Sequence, residues 1–291
     1  MTRAVAFVLL GLGLVAGPAR AGDDLSEDGG YTLRASIEND AEGGAAFVVE
    51  GTAPNLPDGT LLHVTLAIKG KYTSPIEAAF FQTRVVDQEF RARKVFSQQR
   101  FAPLLYWARA ELYVGNQRSA VKDWIRRELG VSARAKLLLA KQDIEVGDLE
   151  EQGRFAEYSL TELHGFILAY EALRQRVAAV TPEVIADDAW RATYTGLSAD
   201  MGALSERFRD FQKPYVVWSD QAVLKKLGAA AGDLSYALSA CDKGQHGRAQ
   251  KVLGALGGKL QRLRAEVEAR LPAPDEDPAE EPGGSPGPTD E

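Results

Sequence analysis

The groups in this 291-residue chain best suited to chemistry are few: His63, His164, His246 and the lone Cys241. The densest grouping is Cys-Asp-Lys-Gly-Gln-His at 241–246, a thiol, a carboxylate and an imidazole within six residues. A Cys–His nucleophile needs an exposed thiolate beside the ring. Cys241 instead falls on an apolar helical seam, and His246 in a glycine-flanked turn. The expectation is a buried, inert thiol. Metal chemistry fares no better. A di-iron site between helices needs Glu-x-x-His pairs from two of them, and a zinc protease needs His-Glu-x-x-His. Neither spacing occurs.

His164 and Met201, which would lie at similar heights on antiparallel helices, are the pair that could ligate a haem iron. His164 follows the seam residue Leu163 and precedes Phe166, which turns it outward. Cys-x-x-Cys-His is absent, so covalent attachment is excluded. The carboxylate pairs Asp187-Asp188, Glu150-Glu151 and Glu162 with Glu171 read as solvated helical faces. There is no Gly-x-Ser-x-Gly elbow, P-loop or dinucleotide fingerprint. The glycines of "LGALGG" (253–258) read as sites of close helix approach. No catalytic, cofactor-binding or metal-ligating residue is assigned, and no cofactor is implied.

The elements that would carry any site lie between two ends of different character. "MTRAVAFVLLGLGLVAGPARA" has Arg3 before an apolar run from Ala4 to Ala16, a Gly17-Pro18 break and a small-x-small cut site. Residues 1–21 are expected to be a secretory signal peptide, the run being shorter than the ~20 residues of a membrane span. Residues 22–30 read as a flexible start to the mature chain. Residues 272–291 hold six prolines and seven acidic residues with no basic one. They are expected to form a disordered acidic tail. The formal charge of −7 therefore belongs largely to that tail, and residues 22–271 are close to neutral. A strong field for nucleic acid or an anionic membrane is excluded. One cysteine in an exported chain leaves no internal disulfide.

From Tyr31 to about Val114 the hydrophobic period is two. Leu62, Val64, Leu66 and Ile68 share one face; so do Tyr106, Ala108, Ala110, Leu112 and Val114. Turn chemistry separates the runs at "DAEGG", "APNLPDGT" and "IKGKYTSP". Residues 31–117 are expected to form an antiparallel β-sandwich of six or seven strands. The order "FVVEGTAPNLPDGTLLHVTLAI … FAPLLYWARAELYV" resembles the immunoglobulin- or fibronectin-type sandwiches of exported bacterial envelope proteins. The resemblance covers under a third of the chain and implies a fold only, since such sandwiches host many functions.

Beyond Ser119 the period changes to that of helices, so residues 118–271 are expected to form an antiparallel helical bundle. Ser119 reads as the N-cap of a basic amphipathic helix over 119–129. That helix is expected to pack Trp124 and Ile125 where sandwich meets bundle. "ARAKLLLAKQDIEVGDLEEQG" reads as a second, more polar helix, and four longer ones follow. Thr181 with Pro182 opens the second of these, which carries an unbroken stripe of Trp190, Tyr194, Leu197, Met201, Leu204, Phe208 and Phe211. Ser219 is expected to cap the next, and Pro272 to follow the last. Short connections between similar helices favour an intramolecular core for the stripe over a two-chain coiled coil, whose seam prefers Ile, Val and Leu. The fold class is thus α+β.

The functional expectation is an exported, non-enzymatic protein of periplasm or extracellular space that interacts or scaffolds. Its partners would be envelope proteins or cell-wall components rather than nucleic acid. It would be a monomer with no transmembrane segment in the mature chain. The alternative is an enzyme or small-ligand carrier with its site at the junction of the two halves, which a deep polar junction pocket would favour.

Overall fold

The computed structural model describes residues 30–40, 44–70 and 75–271. The expected signal peptide, most of the expected flexible start and the acidic segment 272–291 lie outside the described residues. Seven strands come first: β1 (Arg34–Asn39), β2 (Ala45–Thr52), β3 (Leu61–Ile68), β4 (Ile76–Arg84), β5 (Glu89–Phe96), β6 (Leu105–Tyr113) and β7 (Lys136–Glu145). Helix α1 (Ser119–Glu128) lies between β6 and β7. After them come α2 (Leu149–Ala178), the short α3 (Pro182–Ala186), α4 (Trp190–Gln212), α5 (Gln221–Asp242) and α6 (His246–Glu268). The chain is α+β: two antiparallel sheets followed by helices.

One sheet has the order β1-β2-β5 and the other β4-β3-β6-β7, every pairing antiparallel. Alternation places Phe47 and Val49 of the first against Val64, Leu66, Tyr106 and Ala108 of the second in one buried cluster. β4 and β5 belong to different sheets yet are joined by a two-residue turn. Asp87 and Gln88 both have positive φ there (52° and 63°), and Val86 bridges Glu89 across it. At the opposite seam β1 meets β7 through one side chain. The Gln142 amide oxygen accepts from Ala35 N–H (2.6 Å) and its nitrogen donates to Ala35 C=O (3.2 Å), imitating a strand neighbour.

Several expectations are corrected. Residues 136–145 form β7, not a helix, so the sheet paired with β6 runs on to Glu145. The register slips between Ala110 and Glu111 of β6, where Leu139 of β7 is the extra residue. Helix α1 packs Val121, Ile125 and part of Trp124 against the sheets' end cluster, with Leu112, Val114 and Leu137, and not at the boundary with the later helices. The helix opened by Thr181 stops at Ala186. Thr181 Oγ1 accepts from Val184 N–H (3.5 Å), but Asp187 turns the chain and accepts from Ala189 N–H (2.7 Å) before α4 begins. Ser219 does not cap α5; Asp220 precedes its first residue, without a side-chain cap.

The α2, α4, α5 and α6 seams meet in a single buried cluster. Trp190, Leu197, Leu204, Phe208 and Phe211 of the stripe are buried there, with Tyr194 and Met201 packed at its edge. Helix α2 starts with a reciprocal cap: Asp148 accepts from Glu151 N–H (2.8 Å) while Glu151 accepts from Asp148 N–H (3.1 Å). The buried Asp220 holds the start of α5 to the end of α6 through Arg270 (2.6 Å). Gly254 and Gly258 have open space where a Cβ would stand; of the "LGALGG" glycines, only Gly257 meets a neighbour, the Arg174 guanidinium at 3.3 Å. Close helix approach therefore does not explain the other two.

Candidate functional site

The groups that looked reactive do not assemble. Cys241 is fully buried, and burial pushes its thiol pKa up, so the nucleophilic thiolate is disfavoured. No hydrogen bond joins it to His246 among the described residues. His164 sits between α2 and α6, pairing with Glu268 at 3.1 Å. Arg264 and His164 together hold the Glu268 carboxyl below its ordinary range. Among the described residues no group of three or more His, Cys, Asp or Glu could hold a metal ion. No helix there is long and apolar enough to cross a membrane.

The junction between sheets and helices is an aromatic contact. The β5–β6 connection and the α4–α5 connection run side by side. Arg100 N–H donates to Pro214 C=O and Arg100 C=O accepts from Val216 N–H, both at 2.8 Å. From that segment Val217 enters the core between the sheets, while Trp218 enters the helical core. Ring centroids of Phe155–Tyr215 (4.9 Å), Tyr215–Trp218 (5.0 Å), Phe155–Trp218 (5.3 Å) and Phe211–Trp218 (4.3 Å) fill the space.

Chemistry-bearing side chains do converge on the outer face of the four-stranded sheet. Because β6 puts Tyr106, Ala108, Ala110 and Leu112 inward, Trp107, Arg109, Glu111 and Tyr113 must face the other way. β3 adds His63 and Thr65, β4 adds Glu77, Phe80 and Gln82, and β7 adds Lys136. Register fixes the neighbours: Thr65 stands opposite both Phe80 and Arg109, and His63 opposite Gln82 and Glu111. All of these except His63 and Gln82, which stand just behind, line an open recess of about 270 Å³ beside Pro75.

The recess is built from mutually supporting charges and rings. The Glu111 side chain, only 7% exposed, lies 3.0 Å from Lys136 Nζ and 3.9 Å from Arg109, and Tyr113 Oη donates to it at 3.3 Å. Arg109 Cζ stands over the Trp107 ring, 3.8 Å from its centroid, and Lys136 Nζ over Tyr113 at 4.9 Å. His63 lies tilted against Tyr113 (ring centroids 4.4 Å apart, planes at 39°), and its Nε2 faces the amide nitrogens of Asn116 (3.2 Å) and Gln82 (3.4 Å). Two donors facing Nε2 select the neutral tautomer that carries its proton on Nδ1. Burial lowers the His63 pKa; nearby Glu111 opposes the shift and Lys136 adds to it. Phe80 stays 45% exposed at the rim.

The sequence held half of this signal. Once one face of "LLYWARAELYV" is taken as core, the other reads Trp-x-Arg-x-Glu-x-Tyr, an aromatic and charged set on a face that need only be polar. That β3, β4 and β7 would bring Thr65, Phe80 and Lys136 to it was not readable. The arrangement holds no activated nucleophile, and what it offers is binding: a buried carboxylate, two cations, a hydroxyl and an exposed ring. No protein-family model matches the chain, and neither the characterised proteins nor the solved structures compared with it do.

Proposed function

We propose that the chain is an exported, non-enzymatic protein of the cell envelope that works by interaction or scaffolding, with the outer sheet face as its working surface. On this reading the two sheets form an immunoglobulin-type sandwich and the four long helices an antiparallel bundle that holds it in place. The observation that carries the reading is the junction. Phe155, Tyr215, Trp218 and Phe211 occupy the space where a site shared by the two halves would need a cavity. An enzyme or carrier with its site there is the different-class alternative, and those rings argue against it.

The test joins location to contact. Cells producing the chain are fractionated, the exported form is sequenced from its N-terminus, and a photo-crosslinking residue is placed at Phe80 or, as control, at the exposed Tyr236. The reading expects a chain beginning at Gly22 outside the cytoplasm and an envelope component captured from position 80 but not 236. Capture should be lost when Arg109 is replaced by Gln. Retention inside the cell with Met1 intact, or equal capture from both positions, would refute it.

A further inference from the structure

We infer that the positive face of α1 binds the acidic segment 272–291 of a second copy of this chain, so that copies associate head to tail. This surface is separate from the outer-face recess, and the inference does not depend on where the chain resides.

From Arg118 to Arg134 five cations face only two carboxylates, Asp123 and Glu128. Arg118, Arg126, Arg127 and Arg134 are exposed and Lys122 is half-exposed. Among the described residues none of the five pairs with a carboxylate; Arg127 Nε donates only to the Asp123 C=O (3.3 Å). The long helices bind theirs: Arg154 to Glu150, Arg176 to Asp200, Lys226 to Glu266 and Arg264 to Glu268. Arg118, Lys122 and Arg126 recur every four residues, about 6 Å apart along one side of α1. Helix stability does not account for that row. Like charges at this spacing repel, and Arg118 sits at the positive end of the helix dipole, where no side chain caps the first turn. Only Arg126 and Arg127, in the last turn, suit the dipole. An acidic partner relieves the repulsion.

Beside the row, α1 and the turn after it form an open recess of about 960 Å³. Arg126, Arg127 and Asp123 bring charge to its lining, while Ala120, Val131 and Ala133 give it small apolar walls. The segment that begins just after Leu271 matches both. "PAPDEDPAEEP" (272–282) sets five carboxylates among prolines and alanines, with no cation to repel the arginines and no bulky side chain. Folded residues elsewhere are close to neutral, so this segment and the α1 face are the two opposite poles of the chain.

Reach decides between the chain's own segment and a neighbour's. Leu271 follows α6, whose end Arg270 ties to Asp220, on the helical side of the junction. Helix α1 packs at the opposite end of the sheets. The nine residues of β6, Leu105 to Tyr113, separate those ends by about 30 Å. At about 3.3 Å per residue, Asp275 to Glu281 lie at most about 13–33 Å from Leu271. Within one chain the cluster would have to be stretched straight along the sheets to touch α1. A second copy presents it without that constraint. The contact joins two different surfaces, so a copy lacking one can still associate through the other.

Sedimentation velocity of the full chain over a range of concentrations tests this. At about 20 mM salt the mean mass should rise with concentration, and at about 300 mM it should fall back towards that of one chain, because exposed charges are then screened. Two full-chain variants separate the halves of the contact. The first carries Asp275→Asn, Glu276→Gln, Asp277→Asn, Glu280→Gln and Glu281→Gln; the second carries Arg118→Gln, Lys122→Gln and Arg126→Gln. Self-association of each should weaken tenfold or more. An equimolar mixture should associate again, the first variant supplying its α1 and the second its acidic segment. The first variant changes no described residue, so its result stands if the second misfolds. A parent that stays monomeric at low salt, association undiminished in the first variant, or a mixture of folded variants that does not associate overturns the inference. So does association that tightens with salt, as contact through the apolar run Ala4 to Ala16 would.

Discussion

Replacing Phe208 by Ala measures what the aromatic stripe of α4 is for. The ring is buried, edge-on to Phe166 at 5.1 Å and to Tyr170 at 6.4 Å, both on α2. On its α5 side lies Gly228, where even an added Cβ would stay 3.9 Å from the ring. Deleting a buried Phe side chain costs about 3–5 kcal/mol, the larger values arising where the hole cannot collapse. Gly228 has no side chain to move into the space, so the loss should fall near the top of that range, about 4–5 kcal/mol. With a urea m-value of about 2–3 kcal/mol/M, the midpoint should drop by roughly 1.3–2.5 M. Helical circular dichroism during a urea melt reads this, run at two protein concentrations tenfold apart. The neighbours calibrate it: Arg209→Ala should cost a few tenths of a kcal/mol. Arg207→Ala should cost about 0.5–1 kcal/mol, because Arg207 lies over Phe166 at 4.7 Å. An unchanged Phe208→Ala midpoint, with a parent midpoint that rises with concentration, would show the stripe to be an interface between chains and refute the reasoning.

Other substitutions probe separate features. Gly254→Ala and Gly258→Ala, at open positions inside α6, should each stabilise by about 0.5–1 kcal/mol, whereas Gly257→Ala should gain less because it meets Arg174. Thermal melts that rank Gly257→Ala above the other two would contradict the packing described. Gln142→Ala should cost about 1–3 kcal/mol by leaving the Ala35 N–H and C=O without their partner, and amide exchange at Ala35 should accelerate. The lowered His63 pKa makes the folded state bind a proton less readily than the unfolded chain. Its contribution is therefore present above the ordinary histidine pKa of about 6.5 and is lost as pH falls through that value towards the depressed folded one. His63→Asn should flatten the stability profile between about pH 7 and 5; an identical slope in both proteins would exclude His63 as its source.

The strands of the first part were legible because runs such as those of β3 and β6 alternate in sequence and turn residues separate most of the runs. β7 was not, for a specific physical reason. Its bulge at Leu139 shifts the parity of every residue after it, so the inward set includes Leu137, Ala140 and Ile144, spaced three and four apart. That is the spacing of a helix, in a segment rich in Leu and Lys. Pairing with β6 overrides the local preference, and such pairing is invisible in a single strand's sequence. The break between α3 and α4 had a local signal in Asp187-Asp188, poor helix residues whose side chains compete for backbone donors. The candidate site was half legible: β6 announces its outer face, but convergence depends on register across four strands.

The backbone of Arg100 has an implication for the order in which the chain completes itself. A ribosome delivers the chain from its N-terminus, so all seven strands are available once Glu145 has emerged. The N–H and C=O of Arg100 must still wait for Pro214 and Val216, more than a hundred residues later. Through that interval the end of the sheets carries an open backbone edge beside Phe101, whose core still lacks Val217. The sheets can form first, but they are sealed only when the helices are nearly finished. Nascent chains with about residues 150 to 210 as the last to emerge from the ribosome should therefore expose that edge to chaperones, and chains from which Val217 has fully emerged should not.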